Sequence, residues 1–356
     1  MPMEKVIIYG VYGIELRRKV ESFLNSKYEI VGYSDTYLEC DVLDNKPFFH
    51  IEELIGIEFD YLVVAIRNTE ICCEVIEDLV SRGINRRKMV IPSMLTDDYC
   101  VFQKDLLKCA YEGVNEDVEV LIFGLSYSLR EIHKQKLNKK AFDFSWHGLD
   151  LYYNCQLFEK VKAKTKAKTA LMVFPYDYFN YDMSSSQYQY TRWHMMSVSG
   201  LDDYHNGEYL EDVLNSITCM RLFAEKFMAY YHARENIYRH KAITDSERLT
   251  LGHLWCKDHE KTFEENKEIF KAFINELKKV VNRIVVIVPP FLLSRINNPE
   301  VIEPRKKQFY EVLKPFDIEV VDLMDALQED RYYEDVTHLN YEGALVFTEM
   351  INEIIG

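Results

Sequence analysis

Close to its C-terminus the sequence reads DVTHLNYEGALVFT, which sets Asp335 three residues ahead of His338. An imidazole held beside a carboxylate is a general base with a fixed tautomer and a stabilised cation. Such a base needs a nucleophile, and GLSYS at 124–128 offers two hydroxyls, Ser126 first and Ser128 second. A serine hydroxyl attacks poorly at neutral pH until a base takes its proton. Together these residues could perform acyl transfer: Ser126 attacks an ester carbonyl, His338 carries the proton and Asp335 orients the ring. Spacing alone does not single out this pair, because Asp202 and His205 in LDDYH repeat it. That second pair follows no strand and is expected on the surface or in a cap. No grouping of His, Asp and Glu has metal-ligand spacing, so no metal is expected.

The elements that must bring these residues together are visible as alternating runs. EVLIFG (119–124) reads as a strand and leads through Ser126 into the helical LREIHKQKL. A serine where a strand tips into a helix has backbone N–H groups facing a reacting oxygen, at the end of the helix that favours negative charge. AFDFSWHG (141–148), TALMVFPY (169–176), RIVVIVPPF (283–291) and IEVVDLM (318–324) supply four further strands. Helices fill the gaps, most clearly 262–281, with Phe263, Ile269, Phe270, Phe273, Ile274 and Leu277 along one face. Strands alternating with helices give a doubly wound parallel sheet, in which reactive groups collect at the carboxyl edge. Ser126 follows the first strand of this series, and Asp335 and His338 follow the fifth. The terminal helix spaces Phe347, Ile351 and Ile354 by four and three, so it can brace their loop.

Between the third and fourth strands lies a stretch far longer than a parallel crossover needs, with its insertion at about 180–262. QYQYTRWHMM and ITCMRLFAEKFMAYYHAREN mark it as helical and aromatic. Its aromatics either form a small core of their own or cap a substrate groove.

GLSYS, followed much later by DVTHLNYEGALVFT, resembles the SGNH/GDSL hydrolase superfamily, in particular its branch near bacterial surface-glycan acyl esterases and acyltransferases. The resemblance covers 118–356 and implies a flavodoxin-like fold with Ser126 as nucleophile and the Asp335–His338 pair as acid and base. It matches the frequent H-L-N-x-x-G-A companion at His338–Ala344. It also implies an oxyanion N–H from Gly148 in SWHGLD and an amide from Asn180 in FPYDYFNYD. Two departures stand out: Leu125 replaces an Asp common after the first Gly, and no G-x-N-D surrounds Asn180. The implied activity is ester hydrolysis or O-acyl transfer on a small or glycan substrate, in surface polysaccharide modification. A non-catalytic member serving as a scaffold is the alternative.

Residues 1–95 form a separate alternating series, with strands at 6–10, 29–35, 61–66 and 88–92 and two amphipathic helices between them. Residues 96–117 read as a helical connector. The N-terminal series resembles the Rossmann-like sugar-nucleotide or CoA-binding modules at the front of glycan-modifying proteins. Its first turn, GVYGIE, places Gly10 correctly for a dinucleotide fingerprint but leaves Gly13 out of register, and Glu15 would repel a pyrophosphate. Asp35, ending the second strand, stands where a ribose-binding acid often does. A nucleotide or sugar-nucleotide ligand and a structural or oligomerising role are both open. The acyl-transfer site requires no cofactor.

The bulk numbers agree with these classes. A chain of 356 residues suggests two domains. A net charge of −15 disfavours nucleic acid or an anionic membrane surface as partner. No apolar run approaches the ~20 residues of a membrane span. Eight cysteines without a C-x-x-C pair read as free thiols in a reducing compartment, which with the start MPMEKVIIYG leads to the expectation of a cytoplasmic protein.

Overall fold

In the computed structural model two mainly parallel sheets organise the chain, each in its own unit. The structure describes residues 3–92, 106–184, 242–251 and 259–356, with residues 95, 200, 201, 205, 206, 215, 218, 219 and 221–223. One unit comprises Met1–Gln103 with Tyr209–Ala233, the other Lys104–Glu208 with Arg234–Gly356.

The N-terminal unit runs β1 (Glu4–Tyr9), α1 (Ile14–Phe23), β2 (Tyr28–Ser34), β3 (Val42–Leu43), β4 (Lys46–Phe49), β5 (Tyr61–Val64), α2 (Thr69–Ser81) and β6 (Met89–Val90). Its sheet has the order β3-β4-β2-β1-β5-β6, and only the β3–β4 pair is antiparallel. That hairpin is an addition to the four strands expected. Asp44 and Asn45 turn it with φ of 48° and 63°, a left-handed turn that these two residue types tolerate well. The unit also recruits residues that the sequence pattern assigns to the insertion. Asn215 accepts from the Ile91 amide at 2.7 Å, and the Asn25 amide donates to the Leu222 carbonyl at 2.9 Å.

The C-terminal unit runs α3 (Leu106–Gly113), β7 (Val120–Gly124), α4 (Ser126–Glu131), β8 (Ala141–Asp143), α5 (Leu151–Val161), β9 (Thr169–Val173), α6 (His259–Leu277), β10 (Arg283–Val288), α7 (Ile302–Leu313), β11 (Glu319–Asp322) and α8 (Tyr341–Ile355). Its five strands are all parallel, in the order β11-β10-β9-β7-β8. β7 and β9 are buried along their whole length, as near-continuous apolar strands between two helical layers should be. One face packs Phe123 against Phe144, Phe158 and Phe273 of the α5–α6 side. The other carries α8 through Phe347, Ile351 and Ile355, with Ile354 only partly buried at the rim.

β8 stops earlier than AFDFSWHG suggests because Asp143 turns the chain: its carboxylate accepts from both the amide and the hydroxyl of Ser145. Residues 96–105 of the expected connector, the QYQYTRWHMM stretch and Asp202 lie outside the described residues. Among the described residues no helix is long and apolar enough to cross a membrane.

Candidate active site

β7 ends in Gly124, and the geometry there admits no side chain. A Cβ on Gly124 would lie 2.8 Å from the Val173 carbonyl and 2.5 Å from the Ser128 hydroxyl. The chain then tips through Leu125 into α4, whose first residue is Ser126. Its hydroxyl stands 2.9 Å from His338 Nε2, although the two residues are 212 positions apart. Ser128, the second candidate, is wholly buried and donates to the Leu125 carbonyl at 3.1 Å. It braces the turn and has no path to a substrate, which removes it as a nucleophile.

Asp335 and His338 share one tight turn. His338 Nδ1 lies 2.9 Å from Asp335 Oδ2 and 3.1 Å from Oδ1. Oδ1 also accepts from the amides of Thr337 and His338 at 2.8 and 2.9 Å, and from the Thr337 hydroxyl at 3.1 Å. Burial works to raise the Asp335 carboxyl. The His338 charge and these hydrogen bonds outweigh it and hold the group well below the usual carboxylate range. The imidazole therefore has a charged partner on one nitrogen and a hydroxyl on the other, the order that general-base activation requires.

Two contacts fix this turn against α4, and a cap fixes it to α8. Arg130 of α4 pairs with Glu334, beside the acid, and both side chains are largely buried. The Tyr127 ring lies against the His338 ring, with centroids 5.0 Å apart and planes 20° from parallel. Asn340 caps α8 by accepting from the amides of Glu342 and Gly343, and its own amide group donates to the Arg331 carbonyl at 2.6 Å. Gly343 is obligatory: a Cβ there would lie 2.2 Å from the Tyr332 carbonyl. The H-L-N-x-x-G-A string thus has a physical content, a base followed by a cap and a point of backbone contact.

Gly148 and Asn180 follow β8 and β9, the strands on either side of β7, so both stand at the sheet edge that carries Ser126. The Gly148 carbonyl accepts from the Tyr181 hydroxyl at 2.7 Å, and Asn180 closes a buried turn at Tyr178–Asn180. What joins these loops to the nucleophile is a residue that sequence reasoning missed. Asn154, fully buried on α5, exchanges hydrogen bonds with both backbone groups of Gly124 at 3.2 and 3.0 Å. The same NH2 lies 2.9 Å from the Asp150 carbonyl and from the Tyr178 hydroxyl, so its two hydrogens are shared among three acceptors. Its signal was available, as an amide inside the apolar run LYYNCQLF. Glu131 was also missed; it is fully buried behind the His338 turn, its Oε1 accepting from the Leu339 amide at 3.4 Å. Burial pushes its carboxyl well up, as does the nearby Asp335 charge, against the Leu339 hydrogen bond and Arg130.

Elsewhere in this unit Asp150, Asp182 and His205 meet, a grouping that linear spacing did not reveal. His205 was expected on the surface or in a cap; its side chain is only 9% exposed. Burial, and the Asp182 charge beside it, push the Asp150 carboxyl up to about 7.

In the N-terminal unit a cavity of about 490 Å³ opens where strand order reverses between β1 and β5, lined by Gly10, Gly13, Asp35, Tyr37 and Arg67 among others. Asp35 accepts from the Tyr12 amide at 3.0 Å and from the Tyr37 amide at 2.9 Å, so it ties the two loops that border the cavity. Glu15, expected to repel a phosphate, is paired with Arg67 at 2.9 Å.

No protein-family model matches the chain, and no curated protein matches it. Among solved structures it is similar to a protein from Bacteroides fragilis provisionally described as an acylhydrolase: 10% identity, TM-score 0.40, covering 73% of this chain and 98% of that one. It is also similar to an acetylxylan esterase from Geobacillus stearothermophilus: 10% identity, TM-score 0.34, covering 68% and 96%. Likeness this loose carries no function across, and the functional reading rests on the side chains described above.

Proposed function

We propose that the C-terminal unit is an ester hydrolase or O-acyltransferase that works through an acyl-serine. The observation that supports this is the unbroken chain from Ser126 through His338 to ionised Asp335, assembled from opposite ends of the unit. Ser126 Oγ attacks the ester carbonyl while its proton passes to His338 Nε2. Asp335 stabilises the resulting imidazolium through Nδ1. The tetrahedral oxygen takes hydrogen bonds from the Ser126 and Gly148 amides, with the Asn180 side chain as third donor. As the intermediate collapses, the proton on Nε2 moves to the leaving alkoxide and the acyl group stays on Ser126. Water or a sugar hydroxyl then takes the acyl group by the same steps in reverse. A small or glycan O-acyl ester suits this chemistry, and modification of surface polysaccharide follows from the resemblance noted in the sequence. Replacing Ser126 by Ala is expected to lower kcat on p-nitrophenyl acetate by about 10³-fold or more. Undiminished turnover in that variant refutes the assignment.

For the N-terminal unit the cavity at the strand-order reversal favours a nucleotide-bearing ligand over a purely structural role. Tyr37, 85% exposed at the cavity, offers a stacking face. Calorimetric titration with UDP-glucose and with coenzyme A tests this. Saturable binding to one of them, weakened in Tyr37→Ala, is expected; no binding of either contradicts it.

A further inference from the structure

The cluster of Asp150, Asp182 and His205 lies outside the acyl-transfer chemistry, and its hydrogen bonding is incomplete in one telling place. Asp150 is the N-cap of α5: one carboxylate oxygen accepts from the Tyr153 amide and the other from the Met183 amide, both at 3.0 Å. Asp182 accepts from the Ser184 amide and hydroxyl on one oxygen and from Asn206 at 2.8 Å on the other. Both carboxylates are buried, at 1% and 3% exposure. Each carboxylate oxygen has two lone pairs, and those of Asp150 each use one here, so acceptor capacity remains; on Asp182 Oδ1 both are used, and an ion there takes the place of the rotatable Ser184 hydroxyl.

His205 decides what that capacity faces. Its Nε2 stands 3.1 Å from Glu265 Oε1, a contact that places the ring proton on Nε2. Tyr152 stacks on the ring at 4.0 Å between centroids and 6° between planes, which holds its orientation. Nδ1 is left buried with no hydrogen-bond partner among the described residues, directed at Asp182 Oδ1 across 3.8 Å. That gap is too long for a hydrogen bond. A bare nitrogen lone pair facing two buried carboxylates is repulsive unless a cation stands between them. Donors about 2.0–2.2 Å from a tetrahedral ion lie about 3.3–3.6 Å apart, so the 3.8 Å gap has to close by only a few tenths of an ångström. The three donor atoms lie within 4.8 Å of one another, so no separation has to close by more than about 1.2 Å. Glu265 on Nε2 is the carboxylate–histidine support that metal-bound imidazoles commonly have.

We propose that Asp150, Asp182 and His205 Nδ1 bind one divalent cation of the imidazole-preferring class, Zn²⁺ above Mg²⁺ or Ca²⁺. The ion joins the N-terminus of α5, the turn after β9 and the segment carrying His205, and so braces the loop of Gly148 two residues before Asp150. This site does not depend on the acyl-transfer reading. The chelator-treated full chain is titrated with ZnCl₂ by calorimetry, and Co²⁺ is used as a spectroscopic probe. One Zn²⁺ per chain is expected, raising Tm at saturation, with binding abolished in His205→Ala. Glu265→Gln, which keeps the ligands, weakens affinity ~10–100-fold. Co²⁺ gives visible ligand-field bands without a thiolate charge-transfer band. The proposal is overturned if the wild type takes up no Zn²⁺, which leaves a shared proton as the occupant. It is equally overturned if folded His205→Ala binds as well as wild type, or if Co²⁺ shows thiolate bands that put the ion on cysteine.

Discussion

At the scale of single residues the site depends on charge held where water alone would not keep it. The Asp335 carboxyl lies well below its ordinary range, with His338 and the Thr337 and His338 amides overcoming its burial. Its ionised form therefore lends stability that is complete above the unfolded value of ~3.9 and is lost only as pH falls through the lower folded value. The Tm gap between wild type and Asp335→Asn is expected to be present at pH 5 and to narrow below about pH 4 as the carboxyl takes up its proton. A gap that stays unchanged from pH 5 down to pH 2 contradicts this. The same variant is expected to lose roughly 10³–10⁴-fold in kcat with its fold intact, because the wrong imidazole tautomer faces Ser126.

At the scale of elements the question is how a six-residue helix and a loop stay in register. α4 meets the His338 turn through Arg130, Tyr127 and Glu131, and Glu131 is the costly member. Its carboxyl is raised, so the folded chain favours the neutral form. The unfolded chain ionises near ~4.3, so stability falls as pH rises from there toward the folded value. Glu131→Gln, which cannot ionise, is expected to gain on wild type in thermal unfolding as pH goes from 4.5 to 8. The gain is about 1.4 kcal/mol for each tenfold difference in proton affinity between the folded and unfolded chain. An equal Tm difference at both ends refutes this account. These contacts also show where sequence stops informing. That Ser126, Asp335 and His338 would meet was readable because each is a reactive type at the edge of a strand or helix. Asn154 was readable only in part, because an amide within an apolar run declares its burial but not its partner, and Glu131, in the polar string LREIHK, does not declare even its burial. The β3–β4 hairpin was readable in principle from Asp44–Asn45, but strands of two and four residues give too little periodicity to assert.

At the scale of the whole molecule, neither unit is continuous in sequence. Residues between two pieces of the C-terminal unit complete the N-terminal one, with Leu222 and Phe223 fully buried. No linear pattern announces such a loan, because the periodicity of a helix does not say which core it joins. Excising 1–103 alone is expected to strand those apolar residues and give an aggregating product, whereas excising 1–103 and 209–233 together leaves a soluble C-terminal unit with cooperative unfolding. The opposite ranking by size-exclusion chromatography and circular dichroism contradicts the division. The central claim is that two segments from opposite ends of the C-terminal unit make one activated hydroxyl. Intact-mass and peptide analysis after treatment with a fluorophosphonate tests it most directly. The account predicts a single adduct on Ser126, lost in both Ser126→Ala and His338→Ala; folded wild-type protein that stays unlabelled, or that labels at another residue, would contradict it.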